Sequence, residues 1–237
     1  MADTRPPTVG DAVPRVRGSR WTKGRPDMNR AMSVAARLSE PSRMRYAGDV
    51  FNTGKARRRD RLVSSAYWML STPTWGYRAV DDVHLAPFRL GLEALATTGV
   101  QPAFVVDVGT GAGASAAMLA RQWSSARVEA IDSSWRMLRR ARSLHKEPNL
   151  RFRRASALSM PYDAGSVDLL TCLNAIAAPS EMRRVCAPGA HVLAAGTWVP
   201  LRGEDSDWVQ RFAAAGLRRI DSGSVGGGSW ELYAVAG

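Results

Sequence analysis

Cysteine and histidine are scarce in these 237 residues: there are two cysteines, Cys172 and Cys186, and three histidines. Neither cysteine has metal-ligand spacing, so no metal site is expected and both read as reduced structural thiols. No run of 18 apolar residues occurs, and no apolar segment follows the arginines near the N-terminus. A membrane span and a signal peptide are therefore not supported, and a cytoplasmic protein is expected. A phosphate loop is missing too. Residues 48–55 resemble one, but the glycines are one residue too far apart and Ala56 stands where a metal-binding Ser or Thr is needed.

Acidic residues are too few to balance the basic ones, and the net charge is +12. A basic chain suggests a nucleic-acid partner, but the excess is uneven. Residues 1–61 hold 15 basic against 6 acidic side chains, net +9, and the remaining 176 hold 18 against 15, net +3. Residues 1–29 are arginine-rich with four prolines and little apolar periodicity, which is the composition of a disordered arm. Residues 30–98 read as a helical cap region and residues 99–237 as the main domain. Within the cap region, residues 67–88 hold Tyr67, Trp68, Trp75, Tyr77, His84 and Phe88, broken by Pro73 and Pro87. Aromatics at that density pack a cap or line a pocket.

What is abundant is glycine in one place. Residues 104–114 read FVVDVGTGAGA: a buried strand, then a turn in which Gly109, Gly111 and Gly113 allow tight bending and close approach of a ligand. A helix of composition 114–123 follows, so the turn is expected to offer N–H groups to whatever sits above it. The spacing fits the dinucleotide pattern through Gly109, Gly111 and Ala114. It fits D-x-G-x-G-x-G better, through Asp107. An acid facing the ligand repels a pyrophosphate and holds an ammonium group, which favours S-adenosylmethionine over NAD.

The chain then alternates strand and helix, implying a parallel sheet. Strands are expected at 127–131, 150–154, 167–173 and 191–197. Ser133 and Ser134 can cap a helix that places Met137, Leu138, Ala141 and Leu144 on one face and Arg136, Arg139, Arg140 and Arg142 on the other. A solvated basic face is the preferred reading of those arginines. Helices are expected at 89–98, 180–186 (followed by a Pro188-Gly189 turn) and 207–215. Strands 217–221 and 229–235, joined by a flexible 223–228 loop, must pair antiparallel, because a parallel crossover needs a dozen or more residues. Asp132 closes the second strand, 19 residues after Gly113, where an acid meets two ribose hydroxyls.

Together these segments resemble the class I S-adenosylmethionine-dependent methyltransferases, particularly the small-molecule group that includes the ubiquinone/menaquinone-biosynthesis enzymes. Four stretches in order carry the likeness: VVDVGTGAGASA, AIDSSWRMLRRAR, ASALSMPYDAGSVDLL and RRVCAPGA. The resemblance implies a doubly wound, Rossmann-like α/β sheet of seven strands with an antiparallel last strand, and S-adenosyl-L-methionine as cofactor. Asp107, Gly109, Thr110, Gly111 and Gly113 would then hold its methionine part and Asp132 its ribose. Ser133, Met137, Ser156 and Ala157 would surround the adenine, and Asn174 would face the methyl group. Ser156 stands where the family usually has an Asp, and the second glycine before the fifth strand is Ala190. The expected reaction is transfer of a methyl group to a small-molecule acceptor by in-line displacement. RNA as acceptor through the basic arm, or non-catalytic nucleic-acid binding, is the rival. No N-P-P-Y motif follows the fourth strand, where CLNAIAAP stands. A hydroxyl acceptor needs a base, for which His84 is the first candidate by residue type; no catalytic residue is assigned.

Overall fold

The computed structural model describes residues 57–60, 62–64, 66, 82–175, 177–196, 207–225 and 228–236. The expectations for the arm, for most of the cap region and for Tyr67, Trp68, Trp75 and Tyr77 lie outside the described residues. So does segment 197–206.

A helix, α1 (Asp82–Ala96), leads into a run that alternates as far as β3: β1 (Phe104–Val108), α2 (Ala114–Gln122), β2 (Arg127–Asp132), α3 (Trp135–Leu144), β3 (Leu150–Arg154) and then, with no helix between, β4 (Val167–Leu173). Then follow α4 (Pro179–Val185), β5 (Cys186–Gly196), α5 (Asp207–Ala214), β6 (Leu217–Val225) and β7 (Gly228–Val235). The seven strands form one sheet in the order β3-β2-β1-β4-β5-β7-β6. Strands β1 to β5 pair in parallel and β7 is antiparallel to both neighbours. Strand order reverses between β1 and β4, so a crevice opens outside their carboxyl ends, where open α/β sheets bind ligands.

Side-chain alternation builds the two cores. On one face Val106, Val108, Leu170, Val192 and Tyr233 pack with Met182 and Val185 of α4 and Phe212 of α5. On the other, Val105, Leu169, Leu193 and Leu232 pack with Phe88, Leu92 and Leu95 of α1 and Leu119 of α2. Strands covered on both sides explain why β1 and β4 read as near-continuous apolar runs. Cys172 and Cys186 are free and buried, and burial pushes both thiols up to about 12.

Several expected boundaries move. The helix expected at 89–98 begins at Asp82 and takes in Pro87, which sits early enough to cost one hydrogen bond without ending the helix. Cys186 opens β5 instead of closing a helix, and Pro188-Gly189 lies inside that strand. Gly189 has φ +78 and the β4–β5 register shifts between Val167 and Leu169, so the turn chemistry makes an irregularity at a strand start. Of the segment expected as a 223–228 loop, residues 223–225 belong to β6 and Gly228 to β7. Among the described residues no helix is long and apolar enough to cross a membrane, and no cluster of metal ligands occurs.

Candidate functional site

The three glycines of the turn all have positive φ, 68, 55 and 87 for Gly109, Gly111 and Gly113, which bars most other residues. Their surroundings differ. A Cβ on Gly109 would stand 2.4 Å from the Ala175 Cβ, and one on Gly113 would meet His145, Ala141 and Phe152 at 2.9–3.0 Å. A Cβ on Gly111 would meet nothing within 4 Å. Gly109 and Gly113 thus serve packing, and Gly111 alone borders open space.

The turn's N–H groups are largely spent. Those of Gly109 and Thr110 donate to the Ile131 carbonyl at 2.8 and 3.0 Å, and that of Gly113 donates to the Thr110 carbonyl at 2.9 Å. The Gly111 N–H donates to Asp132 Oδ2 at 2.9 Å. The expectation of free N–H groups across the turn is therefore corrected at these four positions.

Asp107 also departs from its expected place. It is wholly buried beneath the turn instead of on its surface. Ser115 Oγ donates to one carboxylate oxygen at 2.7 Å and Thr171 Oγ1 to the other at 2.8 Å. Burial raises its pKa above the ordinary 3.8, and the hydroxyl donors pull it back only in part. Thr110 lies beside it, yet the buried Thr110 hydroxyl has no partner in hydrogen-bonding geometry. Thr171 is a polar residue in the otherwise apolar middle of β4, a signal in the sequence that went unused.

Asp132 ends β2 with one oxygen held by Gly111 and the other by the Ser134 N–H at 2.8 Å. Burial raises its pKa, opposed by those backbone donors. Ser134 rather than Ser133 caps α3, accepting from the Met137 N–H at 3.3 Å. Ser133 is exposed and Met137 buried. Past β3, Ser156 is exposed and accepts from the Leu158 N–H at 3.2 Å, and Ala157 is half-buried.

Asn174 follows β4 with φ 54, the one non-glycine residue of positive φ among those described. Its N–H donates to the Ala195 carbonyl at 2.9 Å, and its Nδ2 lies 3.3 Å from His84 Nδ1 and 3.4 Å from Nε2. The structure thus brings Asp107, the glycine turn, Asp132, Asn174 and His84 to the carboxyl ends of β1, β2 and β4.

Residues 105–196 match the model of a methyltransferase-domain family. This chain carries a methyltransferase domain. Similar solved structures include a Haloferax volcanii methyltransferase solved in complex with its Trm112 activator, with TM-score 0.61, 19% identity, and 70% of this chain and 96% of that one covered. An Aquifex aeolicus S-adenosylmethionine-dependent methyltransferase gives TM-score 0.57 and 20% identity, with 69% and 98% covered. A sarcosine dimethylglycine methyltransferase from Galdieria sulphuraria gives 0.56 and 14%, with 64% and 86% covered. No curated protein matches. S-adenosyl-L-methionine is the cofactor that this domain and fold imply. The residues present fit it: open space over Gly111, an unpartnered buried hydroxyl at Thr110 and a carboxylate at the end of β2.

Proposed function

We propose that the methyltransferase domain methylates a small-molecule acceptor, in the manner of the group that its four motifs resemble. The reading divides the chain into a basic arm (1–29), a cap region (30–98) and the cofactor-binding domain (99–237). When bound, the cofactor supplies a methyl group on a sulfonium. Asp107, Gly109, Thr110, Gly111 and Gly113 cradle its methionine end and Asp132 its ribose. Ser133, Met137, Ser156 and Ala157 border the adenine, and Asn174 borders the methyl. Holding the acceptor in line supplies most of the rate.

One observation supports this reading over a dinucleotide. The Gly111 N–H, at the one open glycine, is already held by the Asp132 carboxylate. A pyrophosphate needs such N–H groups for itself, and next to the Asp132 carboxylate it would be repelled; a sulfonium with an ammonium group is attracted.

A second reading, RNA as acceptor, draws on a different observation. Residues 133–160 hold eight basic side chains, all exposed, and one acid; elsewhere residues 62–237 are net −4. Trp135, 49% exposed, lies under the Arg136 and Arg139 guanidinium groups at 5.7 and 5.1 Å. Incubation with methyl-labelled cofactor and either a deproteinised metabolite extract or total RNA separates the two. Label in the small-molecule fraction supports the first reading. Label in RNA, with binding that weakens steeply in salt, replaces it with the second.

A further inference from the structure

We infer that the outward face of α3, continued by the free edge of β3, docks single-stranded RNA. The inference does not rest on the identity of the methyl acceptor, because this surface lies to one side of the crevice.

The face is charged without compensation. Residues 133–160 hold eight cationic side chains, all exposed, and one acid. That acid, Glu147, is paired with Arg121 of α2, and none of the eight forms an ion pair with a carboxylate among the described residues. Arg136, Arg139 and Arg140 stand at i, i+3 and i+4 on α3, the spacing at which like charges repel. The first turn of α3 holds no acid, and Arg136 is its second residue, so a cation faces the positive end of the helix dipole. An ordinary solvated face mixes the two signs. This one keeps a repulsion that an anionic partner relieves.

Helix and strand present the charge as one surface. Arg142 of α3 donates to the Phe152 carbonyl of β3 at 2.6 Å, and Arg154, at the end of β3, donates to the Ser133 carbonyl ahead of α3 at 3.1 Å. A carbonyl takes a hydrogen bond from a guanidinium group and leaves its charge in place. Strand β3 pairs with β2 alone and forms one edge of the sheet, with Arg151, Arg153 and Arg154 exposed along it. Arginines at an edge also deter pairing with another strand, but that role explains neither the helix face nor the tryptophan on it.

Trp135 selects among anionic partners. It opens α3, is 49% exposed, and carries the Arg136 and Arg139 guanidinium groups 5.7 and 5.1 Å from its ring centre. An indole interleaved with guanidinium groups offers planes on which unpaired bases stack while neighbouring cations hold the phosphates. RNA loops and ends expose such bases, and a duplex keeps them inside. A membrane fits less well, because an interfacial helix needs an apolar stripe to insert. Met137, Leu138 and Ala141 are buried, and the exposed Trp135 and Leu144 stand nine residues apart, about two and a half turns, on opposite sides of the helix. The edge strand is separated from β4 by β2 and β1, about 14 Å at ordinary strand spacing. RNA held there lies beside the crevice and need not be the molecule that is methylated.

The test is fluorescence anisotropy with full-length protein and a labelled oligouridylate of about 12 nucleotides, at several salt concentrations. Wild type should bind, with log affinity falling linearly against log salt. The triple variant Arg136→Gln/Arg139→Gln/Arg140→Gln should bind more than about tenfold more weakly and flatten that slope by about 2, the contribution of three phosphate contacts on a single strand. The variant Arg15→Gln/Arg17→Gln/Arg20→Gln removes the same charge from the N-terminal arm and should leave the slope nearly unchanged. Trp135→Ala should weaken binding about tenfold at an unchanged slope, and Trp135→Phe should restore most of the loss. The four α3 positions are exposed, where substitution leaves folding intact. An equal loss from the arm variant, wild-type affinity in Trp135→Ala, or tighter binding of a duplex of the same length would overturn the proposal. So would binding to vesicles of phosphatidylcholine with one quarter phosphatidylserine by a protein that does not bind the oligouridylate.

Discussion

The two sides of the crevice are built by different means. On the β1–β2 side, neighbouring segments hold one another. Ser115 reaches back eight residues to Asp107, Asp132 reaches forward two to the Ser134 N–H, and Gly111 binds Asp132 across 21 positions. On the β4 side the defining contact is one amide against one imidazole, 90 positions apart. Short loops closing on a local frame give a preformed cradle with little entropy left to lose. The β4 side depends on α1 docking correctly on a sheet made from later sequence. On the proposed function, the first side would hold the cofactor and the second would meet the acceptor.

The most damaging way to probe the cradle is Gly109→Ala. It adds a methyl 2.4 Å from the Ala175 Cβ at a residue with φ +68. Left-handed strain of about 1–2 kcal/mol and overpacking of about 1–3 kcal/mol give an expected loss of about 3 kcal/mol in urea denaturation. Because Ala175 adjoins Asn174, this change should disturb both sides together. Gly111→Ala has only the strain to bear, about 1–2 kcal/mol, but should lower cofactor affinity more per unit of lost stability. Equal stability losses in the two variants would mean that the glycines do not divide as described.

Asp107 sharpens the comparison through pH. Its folded pKa is raised by burial above 3.8. The native state therefore holds the proton more tightly than the unfolded chain. That contribution to stability is fully present below the unfolded value and is lost as pH rises through the folded one. Asp107→Asn keeps the shape and removes the titration. The variant should gain stability relative to wild type over the range in which pH rises from the ordinary 3.8 through the raised folded value. A constant difference across that range would argue against a desolvated Asp107.

The smallest effect is expected at the helix cap. Ser134→Ala removes the acceptor of the Met137 N–H and should cost about 1 kcal/mol, with cofactor affinity nearly unchanged. A large fall in affinity would show that α3 positions Asp132 more directly than its hydrogen bonds suggest.

Much of the cradle was legible in the sequence because its physics is local. A glycine turn after an apolar strand, an acid closing the next strand and a serine ahead of a periodic helix each carry their meaning within a few residues. The antiparallel β6–β7 pair was legible for the same reason. The sequence could not tell that Gly109 and Gly113 are spent on packing, because Ala175 and Phe152 reach them only through the fold. Nor could it show that Asp107 lies beneath the turn, held by Ser115 and Thr171. Pro87 and Pro188-Gly189 misled because a proline is a breaker only where its missing N–H is needed. His84 was picked out by residue type, and its place beside Asn174 depends on the docking of α1 against β5, β6 and β7, which no short-range pattern encodes.

The central claim is that the turn with Asp132 is built for an S-adenosyl group and not for a pyrophosphate. Its most direct test is calorimetric titration of S-adenosylhomocysteine and of NAD into wild type and Asp132→Ala. The account predicts saturable binding of S-adenosylhomocysteine, none of NAD, and a loss of about 1.5–3 kcal/mol in the folded variant, the scale of hydrogen bonds to a charged group. NAD binding without S-adenosylhomocysteine binding, or an affinity that Asp132→Ala leaves untouched, would contradict it.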